Sequence, residues 1–150
     1  VQGLYLAIRF RPMPELSLHE LQQLIPASDC FGIYAEGAFS DHLLASDMLV
    51  SYSSTTIEEA LQNDIPVLQY DPQGKYCHIE GQRLDINGDE SVSPVYYIGS
   101  KEGLTSGLNW LRRHHLDRNI NQTLDWSAYR MEAVETAKWL KEIGVQCGEE

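Results

Sequence analysis

Ser53, Ser54, Thr55 and Thr56 stand in a row, directly after an apolar stretch and directly before Ile57-Glu58-Glu59-Ala60. Four hydroxyl-bearing side chains at a strand-to-helix junction suit one task well, the holding of an anion. The first amides of a helix have no intrahelical carbonyl to bind, and the helix dipole favours negative charge there. Ser and Thr add donors without bulk, so the row is read as a phosphate cradle. The competing reading is a helix cap. Ser and Thr are favoured N-caps, and Thr55-x-x-Glu58 or Thr56-x-x-Glu59 has the spacing of a capping box. One cap needs one hydroxyl, however, and the row has four. Glu59, one helical turn further on, cannot bind phosphate, but its carboxylate can accept hydrogen bonds from a ribose diol, as acidic residues after phosphate loops do. Otherwise it is an exposed carboxylate that the dipole favours.

Arg9 and Arg11 alternate, so they share one side of a strand end, where two guanidiniums could neutralise a diphosphate. Either could instead pair with an acidic neighbour. Phe39 follows another strand and reads either as a core anchor or as a flat surface for a base. Lys75, Tyr76 and His78 lie in a segment after a strand and could touch a ligand, though a plain surface loop explains them as well. His114 and His115 sit at a helix end, where positive charge suits the dipole; adjacent helical positions do not face one metal. Trp126, Tyr129 and Trp139 read as packing residues. No metal-ligand set, P-loop lysine or Ser/His/Asp triad is seen in the pattern, and no residue is assigned as catalytic.

The elements that must position these groups follow from periodicity. Strands are expected at residues 4–10, 31–35, 48–52, 66–70 and 95–98. Ser17-x-x-Glu20 is a capping box opening a helix that ends near Pro26. Ser40 caps a short helix through Leu44, a third helix spans 55–63, and Ser100 caps a fourth reaching about His114. A last helix is expected over 125–143, with Gly144 as its stop. Residues 71–94 are rich in Gly and Pro and read as loops. The alternation predicts an α/β domain, a Rossmann-like three-layer sandwich with a mainly parallel sheet of about five to six strands. Ligands of such folds gather at the carboxyl ends of the strands.

Composition narrows the field. The chain has 150 residues, one domain's worth, and 11 Lys+Arg against 22 Asp+Glu, a formal net charge of −11. That balance argues against a nucleic-acid partner, which needs a basic stripe. Three cysteines without a Cys-x-x-Cys pair suggest ordinary thiols of a cytoplasmic protein. No apolar run is long enough to span a membrane. The chain begins with Val just before a strand, which suggests a domain of a longer protein.

Ala45 through Leu61 (ASDMLVSYSSTTIEEAL), followed by Ile65 through Asp71 (IPVLQYD), resembles the carboxy-terminal domain of GT-B-type enzymes. The relatives it resembles are bacterial surface-polysaccharide glycosyltransferases, CDP-glycerol glycerophosphotransferases and UDP-N-acetylglucosamine 2-epimerases. The resemblance is specific over residues 9–71, about half the chain. It implies that Ser53, Ser54 and Thr55 hold the diphosphate of a UDP- or CDP-linked sugar, with Thr56 in the same turn, that Glu59 binds the ribose hydroxyls, and that Arg11 lies close to the phosphates. It places the loop of Phe39 beside the nucleobase. Ser54 and Thr55 replace two glycines of the epimerases, which favours the transferase branch. The family pattern further implies an amino-terminal domain of the same protein that carries the acceptor site and the general base, a last helix (about 120–150) that packs against it, peripheral membrane association of the full protein, and no tightly bound cofactor. On that reading the 150 residues alone bind nucleotide weakly and turn over nothing. The alternatives are a non-catalytic nucleotide or phosphate module, a sugar-nucleotide epimerase, and a flavodoxin-like domain. Flavodoxins carry their phosphate turn after the first strand, whereas this turn follows the third.

Overall fold

A computed structural model describes residues 3–75, 78–84, 92–116 and 123–130. Its strands are β1 (Leu6–Arg9), β2 (Phe31–Tyr34), β3 (Leu49–Ser51), β4 (Val67–Tyr70), β5 (Gln82–Arg83) and β6 (Val95–Ile98). Its helices are α1 (Leu18–Leu24), α2 (Phe39–Leu44), α3 (Thr56–Gln62) and α4 (Lys101–Leu111), the last continued by a π-type turn over Arg112–Leu116. Every ladder between these strands is parallel.

The strands do not form one sheet. β1 pairs with β2 alone, and β3, β4, β6 and β5 form a second sheet in that order. The expectation of five to six strands in a single sheet is therefore corrected to sheets of two and four. Alternating strand and helix patterns dictate parallel pairing with crossovers, but they do not say which strand lies beside which.

Side chains alternate across the four-stranded sheet and fill two cores. On one face, Val67 and Val95 meet Ile57, Ala60 and Leu61 of α3, together with Leu43, Ile65 and Trp126. On the other, Leu68, Tyr96 and Ile98 meet Trp110 and Leu111 of α4. The spacing of Ile57, Ala60 and Leu61 is the i, i+3, i+4 stripe of a helix lying on a core. By contrast, no residue of β1, α1 or β2 is fully buried.

Capping follows the sequence in two helices and departs from it in two. Ser17 accepts the Glu20 amide while Glu20 reaches back to the Ser17 amide, the expected box. Ser100 accepts the Gly103 amide at 3.0 Å. Ser40 lies inside α2, whose N-cap is Ala38. Thr55 is the N-cap of α3 but makes no side-chain cap bond, so neither expected box forms there. α4 stops three residues short of His114, where the backbone widens into the π-type turn. The expected helix over 125–143 begins as a turn at Trp126 and Tyr129, and the remainder, with Trp139, lies outside the described residues. Trp126 and Tyr129 belong to the first core.

Candidate functional site

Because β3, β4, β6 and β5 run parallel, their carboxyl ends share one rim, and the polar row lies on it. Ser53 and Thr55 are exposed, and Ser54 and Thr56 are half-buried. Ser54 does the local capping. Its hydroxyl accepts the Thr56 amide at 3.3 Å, and its carbonyl accepts the Ile57 amide at 3.0 Å. One hydroxyl of the row is thus engaged in the turn. Those of Ser53, Thr55 and Thr56 form no hydrogen bond among the described residues.

The two acidic residues of α3's first turn have different surroundings. Glu59 is half-buried, and its backbone carbonyl accepts from the Asn63 side chain at 2.8 Å. Glu58 is bound instead. Its Oε1 lies 2.7 Å from His78 Nε2, and its Oε2 is buried with no hydrogen-bond partner among the described residues. Glu58 therefore ties the segment after β4 to α3, and this is why it does not reach back as a capping-box glutamate.

The arginines are not brought together. Arg9 ties β1 to the chain just after β2 by donating from its guanidinium to the carbonyls of Glu36 and Gly37, the latter at 2.5 Å. Its charge serves backbone carbonyls rather than an open cavity. Arg11 is exposed and its guanidinium forms no hydrogen bond or ion pair among the described residues. Both belong to the two-stranded sheet side, whereas the Ser/Thr row belongs to the other sheet. Phe39 packs against the first core as an apolar anchor, and this placement does not present its ring as a free platform. Lys75 is exposed, His78 is held by Glu58, and Tyr76 lies outside the described residues.

His114 and His115 depart furthest from their expected role. Both are buried. His114 stacks on Trp110 at 3.9 Å between ring centroids, and His115 Nε2 lies 2.6 Å from the Tyr96 hydroxyl. Burial pushes the Tyr96 phenol up to about 12, partly offset by the Ser93 amide that donates to its oxygen. Tyr96 and His115 form a buried polar clasp between β6 and the turn that follows α4.

The segment after β4, expected on the ligand side, leads to a part of the rim whose shape the sequence does not give. Ile79 packs on the α3 face, where the side chain of Gln69 donates to its carbonyl at 2.6 Å and accepts its amide at 3.3 Å. The chain leaving β4 therefore crosses to the α3 face, while the chain leaving β6 enters α4 on the opposite face. Gly81 permits the crossing. A Cβ there would stand 2.9 Å from Val95 Cγ1. Where neighbouring connections part in this way a crevice opens between them. It measures about 540 Å³ and is bordered by Asp71, Gly74, Arg83, Tyr97, Gly99 and Ser100. The available signals are the position of 71–79 after a strand and the Gly and Pro content of 71–94; neither points to Arg83, Tyr97 or Ser100 as lining residues.

No family model, no curated protein and no solved structure matches this chain. Among the described residues no cluster of His, Cys, Asp or Glu is placed to hold a metal ion, and no helix is long and apolar enough to cross a membrane.

Proposed function

We propose that this chain is the donor-nucleotide domain of a GT-B-type glycosyltransferase, built on a Rossmann-like sandwich, which binds a UDP- or CDP-linked sugar through the turn after β3. The observation that carries the reading is that turn itself: three of its four consecutive hydroxyls form no hydrogen bond among the described residues, at the carboxyl rim of a parallel sheet. Parallel sheets of this kind receive ligands along that rim. The resemblance of residues 45–71 to surface-polysaccharide transferases supports the choice of ligand.

In this reading Ser53, Ser54, Thr55 and Thr56 surround the diphosphate, and Glu59 accepts from the ribose diol. The donors are fixed before the reaction and stabilise the charge that develops on the leaving diphosphate. The full protein transfers a sugar or a polyol phosphate at the cytoplasmic face of a polysaccharide pathway. An amino-terminal domain supplies the acceptor and the general base, with Arg11, exposed and uncommitted, free to approach the phosphates.

Calorimetric titration with UDP, CDP, GDP and CMP tests the assignment. One nucleoside diphosphate is expected to bind, and CMP more weakly. Ser54→Ala and Glu59→Ala should each weaken binding about tenfold, the loss of one hydrogen bond to a charged or diol partner. If all four ligands fail, or both variants bind as the parent does, the assignment is wrong.

A further inference from the structure

We infer that the crevice between the carboxyl ends of β4 and β6 is a second binding site, for a small sugar or polyol carrying one anionic group. Three observations converge there. The connections of two neighbouring parallel strands part to opposite faces, which is where open α/β sheets hold ligands. The space left is about 540 Å³, within the range of small-molecule sites. Arg83, on the edge strand β5, lines that space and its guanidinium forms no hydrogen bond or ion pair among the described residues. In a chain with twice as many acidic as basic side chains, an arginine at a crevice with no acidic partner among the described residues is suited to clamp an anion.

The other lining groups specify the rest of the ligand. The Tyr97 hydroxyl donates to the Asp71 carbonyl at 3.2 Å, so its oxygen remains free to accept. The Ser100 hydroxyl accepts the Gly103 amide, so its proton remains free to donate. A free acceptor and a free donor near a cation match the hydroxyls and the anion of a phosphorylated or carboxylated sugar. The loop that borders the site is braced internally. Asp71 is buried, its carboxylate accepts the Gln73 amide at 3.0 Å, and its carbonyl accepts the Gly74 amide at 3.3 Å. Gly74 closes the bend at a φ of 62°, where a side chain would be strained. This shape is set before any ligand arrives, which lowers the cost of binding. The inference does not rest on the nucleotide reading, since none of these residues belongs to the turn after β3.

Amide NMR titrations of this chain with glucose 6-phosphate and with glucuronate test it, with inorganic phosphate, glucose and UDP as separate arms. Either anionic sugar, by saturably shifting the Gly74, Gly99 and Gly103 amides, supports the site, and the stronger of the two identifies the anion. Arg83→Gln should weaken that ligand about tenfold or more and Arg83→Lys less, because lysine keeps the charge and loses the fork. UDP binding should be the same in Arg83→Gln as in the parent, whether or not UDP binds at all. The proposal is overturned if neither sugar gives a saturable shift, if Arg83→Gln binds equally well, or if inorganic phosphate matches glucose 6-phosphate, which would reduce the site to a bare surface charge.

Discussion

Tyr96 shows how much a single polar atom can carry. Its hydroxyl receives the Ser93 amide at 2.8 Å and lies 2.6 Å from His115 Nε2, inside a core of Trp110, Leu111 and Ile98. Tyr96→Phe keeps the ring and removes both bonds from the core. Denaturant unfolding should show a loss of about 1–3 kcal/mol, the cost of losing hydrogen bonds inside a core. The Ser/Thr row offers the opposite case. Thr55 makes no side-chain cap bond, so Thr55→Ala should leave the melting temperature near the parent's, while Ser100→Ala, which removes a formed cap, should cost about 1 kcal/mol. A drop in nucleotide affinity in the thermally silent Thr55→Ala would separate binding from capping at a residue where sequence could not. The four-residue row was legible as more than one cap requires, and Ser54 proves to be the residue that does the capping. Glu58 was illegible in the same stretch, because its partner His78 lies 20 positions away and no local pattern encodes such a pairing.

At the scale of elements, strand order decides what neighbours what. The strands at β1, β2, β3, β4 and β6 and the helices at α1, α3 and α4 could be read from periodicity, because burial imposes it. The break between the two sheets could not, nor could the insertion of β5 beyond β6, since a two-residue edge strand has no period. The crevice was hidden for that reason: it exists only once β4 and β6 are known to be adjacent. The two sheets should also differ in local stability. β1, α1 and β2 bury no residue fully, and Leu6 and Leu24 remain 53% and 73% exposed, whereas Val67, Leu68, Val95 and Tyr96 are at 0%. Hydrogen exchange should therefore be faster in the β1–β2 ladder than in the β4–β6 ladder, which should exchange only on global opening. Equal protection in both would contradict this account of where the core lies.

For the whole molecule, the same phenol predicts an alkaline limit. A tyrosine raised from 10.0 to about 12 stays neutral in the folded state after it has ionised in the unfolded chain. Its contribution is fully present below pH 10 and is lost as pH rises to about 12, for a total near 3 kcal/mol at ~1.4 kcal/mol per unit. A pH series of denaturation midpoints should be flat approaching 10 from below, as far as Tyr96 is concerned, and should fall beyond it; Tyr96→Phe should remove that part of the fall. The acid side has a smaller counterpart. Two hydrogen bonds from Ser17 hold the Glu20 carboxyl below its usual range, so the α1 cap is intact above that range and opens as pH falls through the depressed value.

Parallel pairing also sets a timetable. No hairpin joins any two of these strands, so each ladder waits for a distant partner. Val95 follows Tyr70 by 25 positions, which a ribosome adds in roughly 1–5 seconds at ~5–20 residues per second. Throughout that interval the nascent chain carries β4 with one flank unzipped, and a foreign strand can dock on such a flank. In the completed fold β6 fills that flank along its length, from Val67–Val95 to Tyr70–Ile98.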